Sequence, residues 1–211
     1  MTSSPRPLLV DCDGVLLDWL SGFLRFAGDA LGRSLDGAQP DMWNLGPFLG
    51  VEDAQVHEMI SAFNRGAGGF FGALDPLPSA QDALAAAAAQ GREITVITSC
   101  LAEPAVIAQR RQNLERAFGA IFADIHCLNP WEDKTPLLER YMATHGPSTW
   151  VEDKPENALK GARAGHRTFL LRTSYNVLHE GGADGLHHAR MTWVDGWPCI
   201  MDAEGLVPAP A

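Results

Sequence analysis

The tetrapeptide Asp11-Cys12-Asp13-Gly14 follows directly on the apolar run Leu8-Leu9-Val10. Two carboxylates closing an apolar run need an explanation, because a buried unpaired carboxylate is costly. The cost falls if the run is a strand that delivers both acids to a site at its carboxyl end, where a cation compensates them. Side chains two apart on an extended segment point the same way, so Asp11 and Asp13 can serve one site. An Asp-Gly surface turn is the competing reading of this stretch taken alone.

Further residues of the right chemistry stand far away in sequence. Thr98 and Ser99 close the run Ile94 to Ile97, Lys134 precedes a helical stretch, and Glu152-Asp153 follow Ser148 to Val151. A carboxylate cluster with open space suits a hard, oxygen-loving cation such as Mg²⁺. Mg²⁺ takes one or two carboxylates together with phosphate oxygens, a pattern that favours phosphoryl transfer. The Thr98 hydroxyl can donate to a phosphoryl oxygen and Lys134 can neutralise developing charge. The chain has only three lysines, Lys134, Lys154 and Lys160, and the first two fall in or beside these stretches.

These residues share a site only if the fold brings them together. Residues 7–12 read as a strand and Val15 to Ala30 as a helix, with Leu16, Leu20, Phe23, Leu24 and Ala27 at helical spacing. Gly32 to Pro47 is rich in Gly, Pro and Asp, Val51 to Phe63 reads as a helix, and Gly66 to Gly72 is glycine-rich around Phe70-Phe71. From Ser79, a candidate N-cap, the pattern becomes regular. It runs as a helix to Gln90 with Gly91 as its C-cap, strand 94–97, helix 104–118, strand 121–126, a helix from Lys134 to about Thr144, strand 148–151, helix 155–164 and strand 167–171. Met191 to Val194 reads as a last short strand and 207–211 as a frayed tail. Strands alternating with helices of this length predict an α/β fold, a Rossmann-like parallel sheet with helices on both faces. Right-handed crossovers put every strand's carboxyl end on one edge, so Asp11, Thr98 and Asp153 converge.

Composition narrows the function classes. The 211 residues are 46% hydrophobic, enough for one good-sized core, and carry a formal net charge of −10. That charge argues against a nucleic-acid polymer as partner, but one lysine and one metal ion can reverse the sign locally for a small anion. Cys12, Cys100, Cys127 and Cys199 are too widely spaced for a zinc motif or a small disulfide scaffold. No apolar run reaches spanning length and Met1 to Pro7 lacks the apolar middle of a signal peptide. These features predict a soluble, cytoplasmic protein with reduced thiols and no membrane partner, and leave a homodimer open.

In order and placement, Asp11-x-Asp13-Gly14, Thr98, Lys134 and Glu152-Asp153 resemble the four motifs of the haloacid dehalogenase (HAD) superfamily. The resemblance implies a nucleophile, Asp11, that forms an aspartyl-phosphate, and a general acid and base, Asp13. It implies Mg²⁺ held by Asp11, the backbone carbonyl of Asp13 and Asp153, with Glu152 as a ligand or a support. Thr98 and Lys134 would bind the phosphoryl group, with Lys154 as a rival for the lysine role. An acid at the Asp13 position separates the superfamily's phosphatases from its dehalogenases.

The regular pattern is interrupted over residues 19–78, which reads as a small, mainly helical cap inserted after the first strand into a core of 1–18 and 79–211. Such a cap covers the crevice and selects small substrates. Trp19, Trp43, Phe70 and Phe71 are candidates to stack on a nucleobase or to form the cap's own core. The opening from Asp11 to Trp19, Gly69-Phe70-Phe71 with Leu74 to Ala80, Ile97-Thr98-Ser99, Asp133-Lys134-Thr135 and Glu152 to Pro155 resemble the 5'(3')-deoxyribonucleotidases. That resemblance implies Mg²⁺-dependent dephosphorylation of deoxynucleoside monophosphates, Trp19 against the base and Ser99 beside the phosphate. Trp in place of the usual Phe at residue 19, and Trp131-Glu132 where a basic residue is expected, depart from it. A sugar phosphate or phosphoglycolate is the alternative substrate, and a catalytically silent ligand-binding or regulatory protein the alternative of another class. His179, Asp184, His187 and His188 have no compact metal spacing. Glu52, Asp53 and His57 read as a solvent face, Cys12 and Cys100 as buried thiols, and Trp193 and Trp197 as packing for the C-terminal segment.

Overall fold

The computed structural model describes residues 5–181 and 185–207. Asp184, all but the first residue of the expected tail 207–211 and the start of the N-terminal segment lie outside the described residues. Six strands form one all-parallel sheet: β1 (Leu8–Val10), β2 (Ile94–Ser99), β3 (Asp124–Leu128), β4 (Thr149–Glu152), β5 (Arg167–Leu171) and β6 (Met191–Val194). Their order is β3-β2-β1-β4-β5-β6, which places β1 at the centre, where the winding reverses. A crevice opens at such a switch point, outside the strands' carboxyl ends. Val10 is level with Val96 of β2 and Val151 of β4, so the residues just past these three strands emerge side by side.

Alternation along β1 covers both faces of the sheet. Leu8 and Val10 enter a core with Leu84, Val106, Leu114 and Ile200, supplied by α4 (Ala80–Ala89), α5 (Pro104–Phe118) and α8 (Trp197–Glu204). Leu9 and Ile97 pack on the other face against Leu138 and Tyr141 of α6 (Thr135–His145). On α7 (Pro155–Ala164), Ala158 and Ala162 cover Leu170. Gly161 lets α7 close on β4, since a Cβ there would stand 2.2 Å from Trp150 Cδ1.

Between β1 and α4 lie α1 (Trp19–Leu31), α2 (Gly46–Leu49), α3 (Asp53–Asn64) and two short 3₁₀ turns, 67–69 and 71–73. The predicted helix from Val15 begins later. Residues 14–17 form a tight turn in which the Leu16 and Leu17 amides donate to the Cys12 carbonyl. Asp18 then caps α1 by accepting from the Ser21 amide at 3.1 Å. Apolar spacing in 15–17 reflects burial of the turn rather than helix. Ser79 precedes α4 in a left-handed conformation, φ 61°, and its hydroxyl makes no capping bond. β3 lies three residues after the expected start, because the Ala123 amide and the Asp124–Leu128 run are what align with β2. α8 was not expected. Trp197 at its start is buried, and its indole N–H donates to the Val15 carbonyl at 2.8 Å, pinning the chain end to the turn after β1. No helix among the described residues is long and apolar enough to cross a membrane.

Candidate active site

Asp11 leaves β1 with its amide bonded to the Val151 carbonyl, 2.9 Å away. One carboxylate oxygen accepts from the Cys12 amide at 2.7 Å. The other meets Lys134 Nζ at 3.0 Å. Lys134 comes from the turn that starts α6, and its ammonium also donates to Glu152 Oε2 at 2.9 Å. The second Glu152 oxygen accepts the amides of Asp153 and Lys154. Glu152 is thus fully engaged in holding Lys134 and the loop after β4. Lys154 carries no such contact with Asp11; its ammonium sits 3.8 Å from the Trp43 ring, so the lysine beside Asp11 is Lys134.

Asp13 is compensated from another direction. Arg110, wholly buried on α5, places one nitrogen 2.7 and 2.8 Å from the two Asp13 oxygens. Its guanidinium lies over the Phe71 ring, 4.2 Å from the centroid. Sequence reading missed Arg110, since the pairing spans 97 positions and nothing local marks it.

Asp153 follows β4 and is held at two points besides its amide. Its Oδ2 accepts from the Tyr175 hydroxyl at 2.5 Å, and its backbone carbonyl accepts from Asn176 Nδ2 at 2.6 Å. Gly14 makes room for this arrangement. It sits at φ +77°, and a Cβ there would lie 2.4 Å from Asp153 Oδ2 and 2.7 Å from the Tyr175 oxygen. Among the described residues, the buried oxygens at this edge without a hydrogen-bond partner include Asp153 Oδ1 and Thr98 Oγ1, while Asp13 Oδ1 has only its ion-pair contact with Arg110. An unpartnered buried polar atom is uncommon enough to mark a place for something else.

The electrostatics agree. Burial, reinforced by the charge of Glu152, pushes Asp11 up to about 7 despite Lys134. Burial pushes Asp13 up to about 6 against the pull of Arg110. Asp153 is raised by burial and by the charge of Asp11, and Glu152 by burial. Burial alone would lower Lys134, but the charges of Asp11 and Glu152 outweigh it and keep the ammonium protonated. Asp11, Glu152 and Asp153 offer oxygens within 4.8 Å of one another, and the Lys134 ammonium touches only the first two. Three crowded carboxylates with one free buried oxygen form an all-oxygen donor set suited to a hard divalent cation. A carboxyl raised toward neutrality, as Asp13 is, can hold and release a proton.

Above this edge lies a cleft of about 460 Å³, lined by Asp11, Asp13, Thr98, Ser99 and Lys134 together with residues of α1, α3 and the loops. Trp19 and Trp43 line it too, but Phe70 and Phe71 do not. The 3₁₀ turn at 71–73 drives Phe71 inward, fully buried against Phe63 and Arg110, and Phe70 lies beside Arg25. Phe71 thus packs between residues 19–78 and α5, and Phe70 against α1. Trp19 is almost wholly covered; its ring stacks on Phe23 at 4.8 Å and its N–H donates to Asn64 at 3.1 Å. Asn64 in turn donates to the Cys100 carbonyl, tying the end of α3 to the loop after β2. The exposed wall is made by residues not foreseen: Trp131, 81% exposed, and His57, whose ring lies 5.2 Å from it. His57 is exposed, as a solvent-face residue should be, and it also borders the cleft.

No established family profile matches the sequence, and no curated protein is similar to it. Solved structures are. A predicted phosphoglycolate phosphatase from Haemophilus somnus 129PT superposes with a TM-score of 0.64 at 15% identity, over 96% of this chain and 99% of that one. The L-2-haloacid dehalogenase RSc1362 gives 0.63 at 14%, over 96% and 100%. The haloacid dehalogenase-like hydrolase SP0104 from Streptococcus pneumoniae gives 0.61 at 14%, over 95% and 98%. Phosphatases and dehalogenases thus stand side by side among the neighbours, and the shared property is architecture: this chain has the fold of the haloacid dehalogenase-like hydrolases.

Proposed function

We propose that this protein is a Mg²⁺-dependent phosphatase of small phosphomonoesters that works through an aspartyl-phosphate, with (deoxy)nucleoside monophosphates as its substrates. The observation that carries the reaction is the meeting, at the end of β1, of Asp11 held by Lys134, Asp13 held by Arg110, and the buried, unpartnered oxygens of Thr98 and Asp153. Thr98 Oγ1 is free to donate to a phosphoryl oxygen, and Lys134 stands ready to share its charge with one. Asp11 and Asp153, with the Asp13 backbone carbonyl, would hold the cation, and Glu152 would support them. Bound there, Mg²⁺ supplies positive charge against the phosphoryl oxygens and the crowded carboxylates.

An Asp11 oxygen attacks phosphorus, the bond from phosphorus to the ester oxygen breaks, and Asp13 gives that oxygen its proton. Asp13 then takes a proton from water. The resulting hydroxide attacks phosphorus, the Asp11–phosphorus bond breaks, and inorganic phosphate leaves with the Asp11 carboxylate restored. An acid at residue 13 favours phosphate ester over carbon–halogen cleavage, since the leaving alkoxide needs a proton and a halide does not.

Residues 19–78 act as the cap that closes the cleft and limits substrate size. The nucleotide reading rests on the resemblance to the deoxyribonucleotidases and on the planar rings of Trp43, Trp131 and His57 at the cleft. A sugar phosphate or phosphoglycolate is the second reading. It is favoured by Lys154, which covers the Trp43 face that would otherwise receive a base, and by the phosphoglycolate phosphatase among the structural neighbours.

Phosphate release from a panel of nucleoside monophosphates, sugar phosphates and phosphoglycolate, with Mg²⁺ and with EDTA, tests both. Turnover of deoxynucleoside monophosphates only with Mg²⁺ is the expected result. Far faster sugar phosphate or phosphoglycolate turnover would move the substrate to the second reading. A silent panel, with no beryllofluoride trapped on the wild type, would overturn the phosphatase reading.

A further inference from the structure

The loop after β5 reaches back into the site, and the sequence reading gave it no role. Tyr175 and Asn176 lie on this loop and are almost wholly buried. Asn176 donates to two carbonyls, Asp153 at 2.6 Å and Leu171 at 2.7 Å, and so fixes the backbone of Asp153 relative to the end of β5. Its side-chain oxygen accepts from the Thr173 amide at 2.8 Å, which closes the loop on itself. Tyr175 donates to Asp153 Oδ2. The carboxylate is therefore fixed at its backbone and at one oxygen, and the other oxygen, Oδ1, is left buried and unpartnered.

We infer that Tyr175 is a positioning residue for the cation: its hydroxyl orients Asp153 so that Oδ1 is presented to Mg²⁺. The inference deepens the metal-dependent reading above and rests on it. Three features argue for orientation over mere packing. The phenol bonds the one carboxylate of the cluster that retains a free oxygen. A buried ring that needed only packing could dispense with its hydroxyl. Gly14, the last residue of the first motif, leaves the space in which the bond forms. Hydrogen bonds from outer groups to metal-ligating carboxylates commonly set affinity, and losing one costs about 10- to 100-fold in metal binding or activity.

The Tyr175 ring also links Asp153 to the wall of the cleft. It meets the Trp43 ring edge-on with centroids 5.2 Å apart, and Lys154 lies over Trp43. The loop that carries Trp43 thus leans on the residue that orients Asp153.

Calorimetric titration of the metal-free protein with Mg²⁺ alone tests the inference without any substrate. Tyr175→Phe keeps the ring and its contact with Trp43, so its thermal unfolding in EDTA should match wild type. Its Mg²⁺ affinity should fall at least tenfold, and Asp153→Asn should abolish binding. Wild-type affinity in Tyr175→Phe, with Asp153→Asn still losing binding, would overturn the inference and leave the metal reading standing. Absence of Mg²⁺ binding to wild type would overturn both. Should Tyr175→Phe unfold early in EDTA, Tyr175→Met, which fills space without any hydrogen-bond donor, repeats the test, and a wild-type affinity there would likewise overturn the inference.

Discussion

Asp11 and Asp13 stand two residues apart yet are compensated from different directions, Asp11 by Lys134 and Asp13 by Arg110. That division gives each carboxylate its own neighbour and keeps their charges from sharing one counter-ion. Asp11→Asn cannot form an acyl phosphate. It should reduce turnover to background while leaving the fold intact; phosphate release near the wild-type rate would remove Asp11 from the nucleophile role. Arg110 is the more exposing test of how the pair is built. Removing one partner of a buried ion pair costs about 3–5 kcal/mol, while replacing both is far cheaper. Arg110→Met should therefore destabilise by about 3 kcal/mol in urea unfolding, and Arg110→Met with Asp13→Asn should recover much of that loss. Additive losses in the double variant would mean that Arg110 stabilises α5 through its Phe71 contact and not through Asp13.

At the scale of elements, the sequence made the sheet legible because parallel buried strands read as short apolar runs separated by helices with clear starts. Pro104 and Pro155 open α5 and α7 where proline at the first turn predicts, and β5 and β6 fall on their expected residues. Three motifs land at one edge for the same reason: their positions follow from strand ends. What escaped were long-range side-chain pairings. Arg110, Asn64, Tyr175 and Trp197 all act on partners distant in sequence, and no local period encodes them. Phe71 misled because a glycine-rich segment looks open, whereas its 3₁₀ turn faces the core. His166 offers a check on how the elements are joined. Its Nδ1 accepts from the Ser148 amide at 3.1 Å and its Nε2 meets the Leu138 carbonyl at 2.9 Å, linking α6 and β4 through a neutral ring. Burial lowers its pKa. The folded state therefore binds a proton less readily than the unfolded one. Its stabilising contribution is complete above the ordinary histidine range near 6.5 and is lost as pH falls below it. Between pH 7.5 and 5.5, urea unfolding should show wild type losing more stability than His166→Gln. Parallel pH profiles would show that the ring does not change charge on unfolding in that window.

Over the whole molecule the formal charge is −10, which repels an anionic substrate from most of the surface. Yet Lys134, Lys154 and Lys160, all the lysines of the chain, line the same cleft. Their jobs differ with depth. Lys134 is buried on Asp11. Lys154 lies over Trp43, and Lys160 reaches Asp133 at 3.2 Å with its side chain about one-third exposed. The outer pair can draw an anion inward against the net charge, because a cleft with low-dielectric walls focuses the field of a few charges. It takes no part in the bond changes proposed at Asp11 and Asp13. Such a role belongs to binding, so its loss should appear in KM and leave kcat nearly unchanged. Lys154→Gln combined with Lys160→Gln should raise KM for a phosphomonoester at least threefold (roughly 0.7 kcal/mol) with kcat within about twofold. The wild-type KM should climb with added salt as exposed charges are screened, and the double variant should show a shallower climb. Steady-state kinetics at low and high ionic strength read both effects. Equal salt dependence in the two proteins would assign the attraction to Lys134 and the cation alone, with the outer lysines serving only to hold the Trp43 and Asp133 loops in place.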